Sequence, residues 1–283
     1  MAEAIATRSL GFTYRGAAGP TLHGIDLTVD VGEVIGLLGP SGAGKSTLQR
    51  VLTGLLRGAT GDARVLGREL SSWGRELYER IGVGFEHPVA VGCLTLRENL
   101  AYFARMYPAD TRAPDELLEL LGLAEDAGLR ASAMSKGMGI RLNVARALLH
   151  RPELLFLDEP SSGLDPVTAS QMADLITRER ERGCTVVVTT HDMVLAQEVC
   201  DRVGFVVDGS IVEMGAPDEL RRRHGRREVV LTWDGGRSVF PLDGLADDPG
   251  FHRDLRERRV HTLHSQEADL AQVFRAVTGR ELS

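Results

Sequence analysis

The stretch GPSGAGKST places Gly39, Pro40, Ser41, Gly42, Ala43, Gly44, Lys45, Ser46 and Thr47 in the pattern G-x-x-x-x-G-K-[ST]. Residues of those types at that spacing form a loop whose backbone N–H groups cradle phosphates, with the lysine reaching the outer ones. Lys45 stands out in a chain that otherwise uses arginine: of 33 basic residues only two are lysine, Lys45 and Lys136. A compact ammonium suits a point contact with phosphate better than a planar guanidinium fork does. Two further groups sit at the ends of apolar runs. ELLFLDEP (153–160) ends in the carboxylates Asp158 and Glu159, and GCTVVVTTHD (183–192) ends at His191. The loop grips a triphosphate; the rest of the chain decides what that grip is used for.

These residues need elements to hold them. VIGLL (34–38) predicts a buried strand ending at the loop, and GKSTLQRVLTGLL (44–56) predicts a helix. A strand, a glycine loop and a helix N-terminus aim backbone N–H groups and the helix dipole at one anion. Residues 153–160 and 183–192 predict two more buried strands, and VGFVVDGSIVEMG (203–215) predicts a hairpin about its D-G turn. Helical patterns at 115–122, 138–150 and 167–182 alternate with the strands. Such alternation implies a parallel sheet covered by helices, with functional groups gathered at the carboxyl ends of the strands. AIATRSLGFTY and LHGIDLTVD alternate with no helix between them and predict a small antiparallel sheet, while 93–150 is mostly helical. The basic run RRRHGRR (221–227) reads as a solvated linker rather than a lipid or permease contact. Beyond it, REVVLTWDGGRSVFPL, a helix around 252–258, RVHTLHS and ADLAQVFRAVTG predict a small α+β unit. The expected fold is α/β: a P-loop NTPase core with an antiparallel β subdomain and a helical subdomain (about 93–150) within residues 1–222, then a C-terminal α+β appendage at 226–283.

Composition narrows the classes. Hydrophobic residues make up 43% and charged residues 26%, as in an ordinary soluble chain. No run approaches the roughly 18 apolar residues of a membrane span. MAEAIATRSLGF lacks a basic-then-apolar export signal, so a cytosolic chain is expected. The net charge of -7 argues against nucleic acid as the main partner. Cys93, Cys184 and Cys200 make no C-x-x-C pair and read as small apolar residues of a reducing compartment. His261 and His264, three apart in a strand-like run, fall on opposite faces and are not read as a metal site.

Order joins the separate signals. About 90 residues after the phosphate loop comes MSKGMGIRL, a helix start capped by Ser135; the Asp158-Glu159 strand, SGLD (162–165) and the strand to His191 follow in turn. In this order the chain resembles the nucleotide-binding subunits of ABC transporters over about residues 3–222. MSKGM stands where the family signature LSGGQ stands. LLFLDE, SGLD and TTHD match its carboxylate strand, D-loop and switch histidine, and Tyr14 in LGFTYRG matches the aromatic that stacks on adenine. The resemblance implies ATP and Mg²⁺ as ligands and ATP hydrolysis as the reaction. It implies that Lys45 neutralises the β- and γ-phosphates and that N–H groups from Gly42 to Thr47 wrap the β-phosphate. Ser46 would ligate Mg²⁺, Asp158 would hold the metal shell, Glu159 would act as general base and His191 would contact the γ-phosphate. Ser135 and Gly137 would serve the nucleotide held by a second copy, giving a head-to-tail ATP-sandwich dimer, and the D-loop Asp165 is carried over as a nucleotide-binding residue. A separate transmembrane permease is implied as well, which places the chain at the cytoplasmic face of the plasma membrane.

Two departures stand out. Lys136 and Met138 replace the second and fifth signature residues, and Glu86 in VGFEHP (83–88) replaces the Q-loop glutamine, with LTLRENL fixing the alignment. In the family that glutamine helps hold Mg²⁺ and lies where the permease's coupling helix docks, so Glu86 is expected beside metal and phosphate. SKGM, Glu86 and the tail EADLAQVFRAVTGREL resemble a narrower group, the ABC-2-type exporters of antibiotics, antimicrobial peptides and other drugs. An ABC ATPase acting on DNA would carry a long coiled-coil insertion, and 48–134 has no such heptad run. A translation factor would carry two cassettes in one chain. An importer ATPase or another soluble ABC ATPase is the alternative to the export motor. The cargo is not legible, because its specificity belongs to the permease.

Overall fold

A computed structural model describes residues 2–225, 228–266 and 268–280. One compact unit lies within residues 1–214 and a second within 215–282. In the first, the strands are β1 (Glu3–Phe12), β2 (Leu22–Asp30), β3 (Val34–Leu38), β4 (Thr60–Val65), β5 (Arg68–Glu69), β6 (Ile81–Gly84), β7 (Leu154–Asp158), β8 (Thr185–Thr190), β9 (Arg202–Val207) and β10 (Ser210–Gly215). Its helices are α1 (Lys45–Leu52), α2 (Leu96–Ala104), α3 (Pro114–Leu120), α4 (Lys136–Leu148), α5 (Pro166–Glu181) and α6 (Met193–Val199).

The fully apolar runs behave as buried strands must. Every residue of β3, β7 and β8 is buried, because other elements cover both faces of a parallel sheet. The sheet order is β10-β9-β3-β8-β7-β6, with parallel pairing from β9 through to β6. The strands that carry chemistry, β3, β8 and β7, are therefore neighbours, and their carboxyl ends share one edge. β2 alternates buried and exposed residues, as expected of a sheet with one covered face. With β1, β4 and β5 it forms an antiparallel sheet in the order β2-β1-β4-β5. Ile5, Leu10, Ile25, Leu27 and Val29 of that sheet share a core with Leu48, Val51 and Leu52 of α1 and Ile35 and Leu37 of β3.

Several expectations are corrected. The helix expected over 44–56 ends at Leu52, where Thr53 caps it and Gly54 turns left-handed at φ 72. The strand expected to include Glu159 ends at Asp158. β4 to β6 were not anticipated: β4 reads TGDARV and buries only Val65 fully, and β6 reads IGVG.

In the second unit, α7 (Pro217–His224), β11 (Glu228–Trp233), β12 (Gly236–Pro241), α8 (Pro249–Glu257), β13 (Val260–Gln266) and α9 (Leu270–Thr278) follow in order. The sheet order is β12-β11-β13, all antiparallel. Val229, Leu231 and Phe251 form its core with Trp233, Phe240 and Val260. The unit begins earlier than the expected boundary, because Arg221, Arg222, Arg223 and His224 are the last turn of α7 and not a linker. Pro217 at the start, Asp218 and Glu219 in the first turn and the cations in the last all favour a helix there. Arg221 also donates to the Ala268 carbonyl, 2.8 Å away. Arg226 and Arg227 of the same basic run, and Glu267, Glu281 and Leu282 of the tail motif, lie outside the described residues.

Candidate functional site

β3 delivers the chain to Gly39, and a Cβ there would lie 2.2 Å from the Val206 carbonyl oxygen, so glycine alone permits this approach to β9. The Ala43 N–H closes a turn onto the Pro40 carbonyl at 3.2 Å, and the Gly209 N–H ties the Ala43 carbonyl to the β9–β10 turn at 2.9 Å. Gly44 then enters α1 at φ 104, and no side chain caps that helix. A helix leaves its first N–H groups without internal acceptors. An uncapped N-terminus behind a tight loop is therefore a donor cluster open to an anion.

The Lys45 ammonium curls over the loop and donates to the carbonyls of Gly39 at 2.6 Å and Pro40 at 3.1 Å. Burial lowers its pKa, while the carboxylates of Glu159, Asp158 and Glu86 act in the opposite sense. Glu159 Oε1 is 4.0 Å from the ammonium. Asp158, buried at the end of β7, accepts hydrogen bonds from the Ser46 hydroxyl at 3.2 Å and from the Thr189 hydroxyl.

Glu159 adopts φ 51, a left-handed conformation that costs a non-glycine residue about 1–2 kcal/mol. The turn lifts its carboxylate off the strand line. Oε2 accepts from the Thr190 hydroxyl at 3.2 Å and the His191 N–H at 3.4 Å, and His191 Nδ1 lies 2.9 Å from it. Ser161 donates to Asp192 at 2.9 Å, joining the loops that follow β7 and β8.

Residues 41–47, Glu86, Glu159, Ser162 and His191 line one cleft of about 280 Å³. The structure thus brings Ser41, Gly42, Ala43, Gly44, Lys45, Ser46 and Thr47 together with Glu86, Glu159 and His191, and places Asp158 beneath them through Ser46. Glu86 is half-exposed, its carboxylate 3.9 Å from His87 Nδ1. Tyr14 stands at the margin, its hydroxyl 3.2 Å from the Thr47 hydroxyl and its ring edge-on to Phe12.

Ser135, Gly137 and Asp165 lie outside this cleft. Ser135 caps α4 by accepting from the Met138 N–H at 3.2 Å. A Cβ at Gly137 would sit 3.1 Å from Leu164, and Lys136 donates to the Ser162 hydroxyl at 3.3 Å. Asp165 caps α5, accepting from the Val167 and Thr168 N–H groups at 3.1 Å; its hydrogen bonds to the hydroxyl and N–H of Thr168 lower its pKa. Sequence reasoning did not single out Thr189, Thr190 and Ser162. The two threonines directly before His191 in TTHD were the available signal, since consecutive strand residues reach opposite sides.

The residues present fit a nucleotide and a hard cation. The uncapped α1 terminus and Lys45 supply donors for a polyphosphate. Ser46, Asp158 and Glu86 supply oxygen donors of the kind Mg²⁺ takes. A larger cleft of about 630 Å³ lies between the antiparallel sheet and the C-terminal end of α1, and contains none of these residues. On its sheet wall Arg8 faces Asp62 and Arg64 faces Glu69 across the strands, so opposite charges are matched there.

The ABC transporter family matches residues 22–162, and the family described as the fluoroquinolone efflux ABC transporter C-terminal domain matches residues 227–267. A fluoroquinolones export ATP-binding protein of Mycobacterium tuberculosis is 51% identical, covering 99% of this chain and 95% of its own length. A methionine import ATP-binding protein of Caulobacter vibrioides is 35% identical over 96% of this chain and 91% of its own. Among solved structures, a dimeric ATP-binding cassette in a post-hydrolysis state with ADP and Pi superposes with TM-score 0.69 at 25% identity, covering 75% of this chain and 98% of that one. The chain belongs to the ATP-binding subunits of ABC transporters, in the group of drug exporters, and is an ATPase.

Proposed function

We propose that this chain is the motor of an ABC-2-type exporter of drugs, working as two copies with a separate permease at the cytoplasmic face of the plasma membrane. The observation that carries the chemistry is the gathering of Lys45, Asp158, Glu159 and His191 at the carboxyl ends of β3, β7 and β8. In this reading the N–H groups from Gly42 to Thr47 and the Lys45 ammonium hold the phosphates, and Tyr14 stacks on the base. Ser46, Asp158 and Glu86 would hold Mg²⁺, which when bound offsets phosphate charge.

Glu159 takes the proton from the attacking water at its carboxylate. The Lys45 ammonium is already on the phosphates at that point, its 4.0 Å contact with Glu159 having loosened when the nucleotide bound. His191, 2.9 Å from Glu159, orients the carboxylate and meets the γ-phosphate. Ser135 and Gly137 do not line this cleft, and in this reading they serve the nucleotide of a second copy. Asp165 follows them at the same junction. The unit within residues 1–214 carries this machinery, and the C-terminal unit is proposed to serve the export group alone.

Cargo is proposed by analogy with the 51% identical relative: a fluoroquinolone. The test is norfloxacin accumulation in cells that express the chain with its permease. Wild type lowers accumulation and Glu159→Gln does not. Accumulation unchanged by either protein would refute that cargo, and methionine uptake instead would favour the importer alternative.

A further inference from the structure

β6 is the edge strand of the parallel sheet, so alternate carbonyls on its free side have no strand to accept from. Side chains of α4 and of His150, two residues past its end, take that place. His150 Nε2 lies 2.9 Å from the Ile81 carbonyl, Arg146 Nη2 donates to the Val83 carbonyl at 2.9 Å, and Asn143 Nδ2 donates to the Phe85 carbonyl at 2.5 Å. One turn earlier a Cβ at Gly139 would lie 2.8 Å from Pro88, so helix and loop are in close contact there as well. Residues 139, 143, 146 and 150 form a single helical stripe, and 81, 83, 85 and 88 run beside it in the opposite direction.

Arg146 is the unusual member. No carboxylate lies within ion-pair distance of it among the described residues; its guanidinium instead lies over the rings of Phe85 at 5.7 Å and Phe103 at 5.3 Å. A half-buried cation without a carboxylate still gives up part of its hydration, which an apolar side chain in the same aromatic setting would not. What guanidinium adds is direction. Nη2 also donates to Asn143 Oδ1 at 3.0 Å, which fixes the orientation of the Asn143 amide and so aims Nδ2 at the Phe85 carbonyl. That carbonyl belongs to the peptide joining Phe85 to Glu86.

We propose that Arg146, acting through Asn143, is a positioning residue that holds the Phe85–Glu86 peptide so that the Glu86 carboxylate faces the phosphate cleft, and yokes Glu86 to Ser135 at the other end of α4. The proposal rests on the reading of Glu86 as a residue of the nucleotide site. One rigid helix then links the group that faces a copy's own nucleotide to the cap that faces its partner's.

The test is a set of four variants and their combinations: Arg146→Met, Arg146→Lys, Asn143→Leu and Glu86→Ala. Turnover is measured as phosphate release per nucleotide-binding-competent chain, counted by titration with a fluorescent ATP analogue. Arg146→Met and Asn143→Leu each lower that turnover about tenfold or more, the scale of a misplaced site group, and leave analogue affinity within about twofold. Arg146→Lys does not restore turnover, because Nη2 makes both bonds, to Val83 and to Asn143, and a lysine ammonium ends one bond short of that position. Added to Glu86→Ala, either substitution costs no further turnover, as expected of residues acting in series.

Losses that multiply in the combined variants would overturn the positioning role while leaving the nucleotide site intact. Lower thermal stability with unchanged turnover per competent chain would overturn it too, showing a merely structural strap. A silent Glu86→Ala would remove the group through which Arg146 acts, and the proposal with it. Should Arg146→Met fail to fold, Asn143→Leu and Arg146→Lys carry the same comparison. Hydrolysis retained in Lys45→Ala would instead strike at the nucleotide site itself.

Discussion

Replacing Glu159 by glutamine separates chemistry from architecture. The carboxylate uses one oxygen, Oε2, for Thr190 and His191, and presents the other to Lys45 at 4.0 Å. An amide keeps an acceptor for the first set, so the loop after β7 stays in place and the midpoint of thermal unfolding moves by no more than about 2–4 °C, equivalent to about 1 kcal/mol. The Lys45 contact is lost. At 4 Å and an effective dielectric constant of about 20 that attraction is about 4 kcal/mol, and it competes with phosphate for the same ammonium. Nucleotide binding is therefore retained or tightened. The proton acceptor is gone, which lowers turnover about 100- to 10,000-fold, or about 2.7 to 5.5 kcal/mol in the barrier. The assay pairs phosphate release under saturating Mg-ATP with titration of a fluorescent ATP analogue. Turnover within about threefold of wild type would show that Glu159 is not the base. Equal losses in binding and turnover would show that its role lies in holding the site together.

Four further outcomes follow from the same geometry. Lys45→Ala leaves a folded chain with hydrolysis reduced at least about a hundredfold, read by phosphate release, since the ammonium belongs to the loop and not to core packing. Gly39→Ala drives a methyl against the Val206 carbonyl at 2.2 Å and lowers unfolding free energy by about 1–3 kcal/mol in urea titration. His150, stacked on Tyr107, has its pKa lowered by burial from 6.5 to about 4. Its folded pKa lies below the unfolded one, so the unfolded chain binds the extra proton between those values and stability falls as pH drops from 6.5 towards 4. At pH 5 the loss is at most about 2 kcal/mol, absent in His150→Gln, as denaturant titration at pH 7 and pH 5 will read. In cell fractionation the chain sediments with membranes only when its permease is co-expressed; no described helix is long and apolar enough to cross a membrane.

The central sheet was legible because β3, β7 and β8 are continuous apolar runs that stop where the chemistry starts. The phosphate loop was legible because its glycines and lysine are consecutive. β4 and β6 were not. TGDARV is held by pairing with β1 and not by its own pattern, and IGVG is too short and glycine-rich to show a period. α7 was hidden because its basic last turn looks like a charged linker until the acidic first turn is read with it. At the site, Ser46 meets Asp158 across 112 residues of sequence and Thr190 meets Glu159 across 31. Motif order brought the named residues to the same strand ends. The threonines that orient the carboxylates, and the Arg146–Asn143 contact behind Phe85, depend on strand register and helix phase, which single motifs do not carry. Lys136 and Met138 in the signature left the serine cap intact, since capping needs only Ser135 and a backbone N–H.

The account depends most on the claim that Ser135 of one copy completes the nucleotide site of another. Sedimentation velocity of Glu159→Gln with Mg-ATP tests it directly. A chain that binds ATP without cleaving it, and whose sites are shared, sediments as a dimer that disperses when ATP is removed, and Ser135→Arg in the same background abolishes the dimer while leaving ATP bound to the monomer. A species that stays monomeric with ATP bound, at high protein concentration and with the permease present, would contradict it.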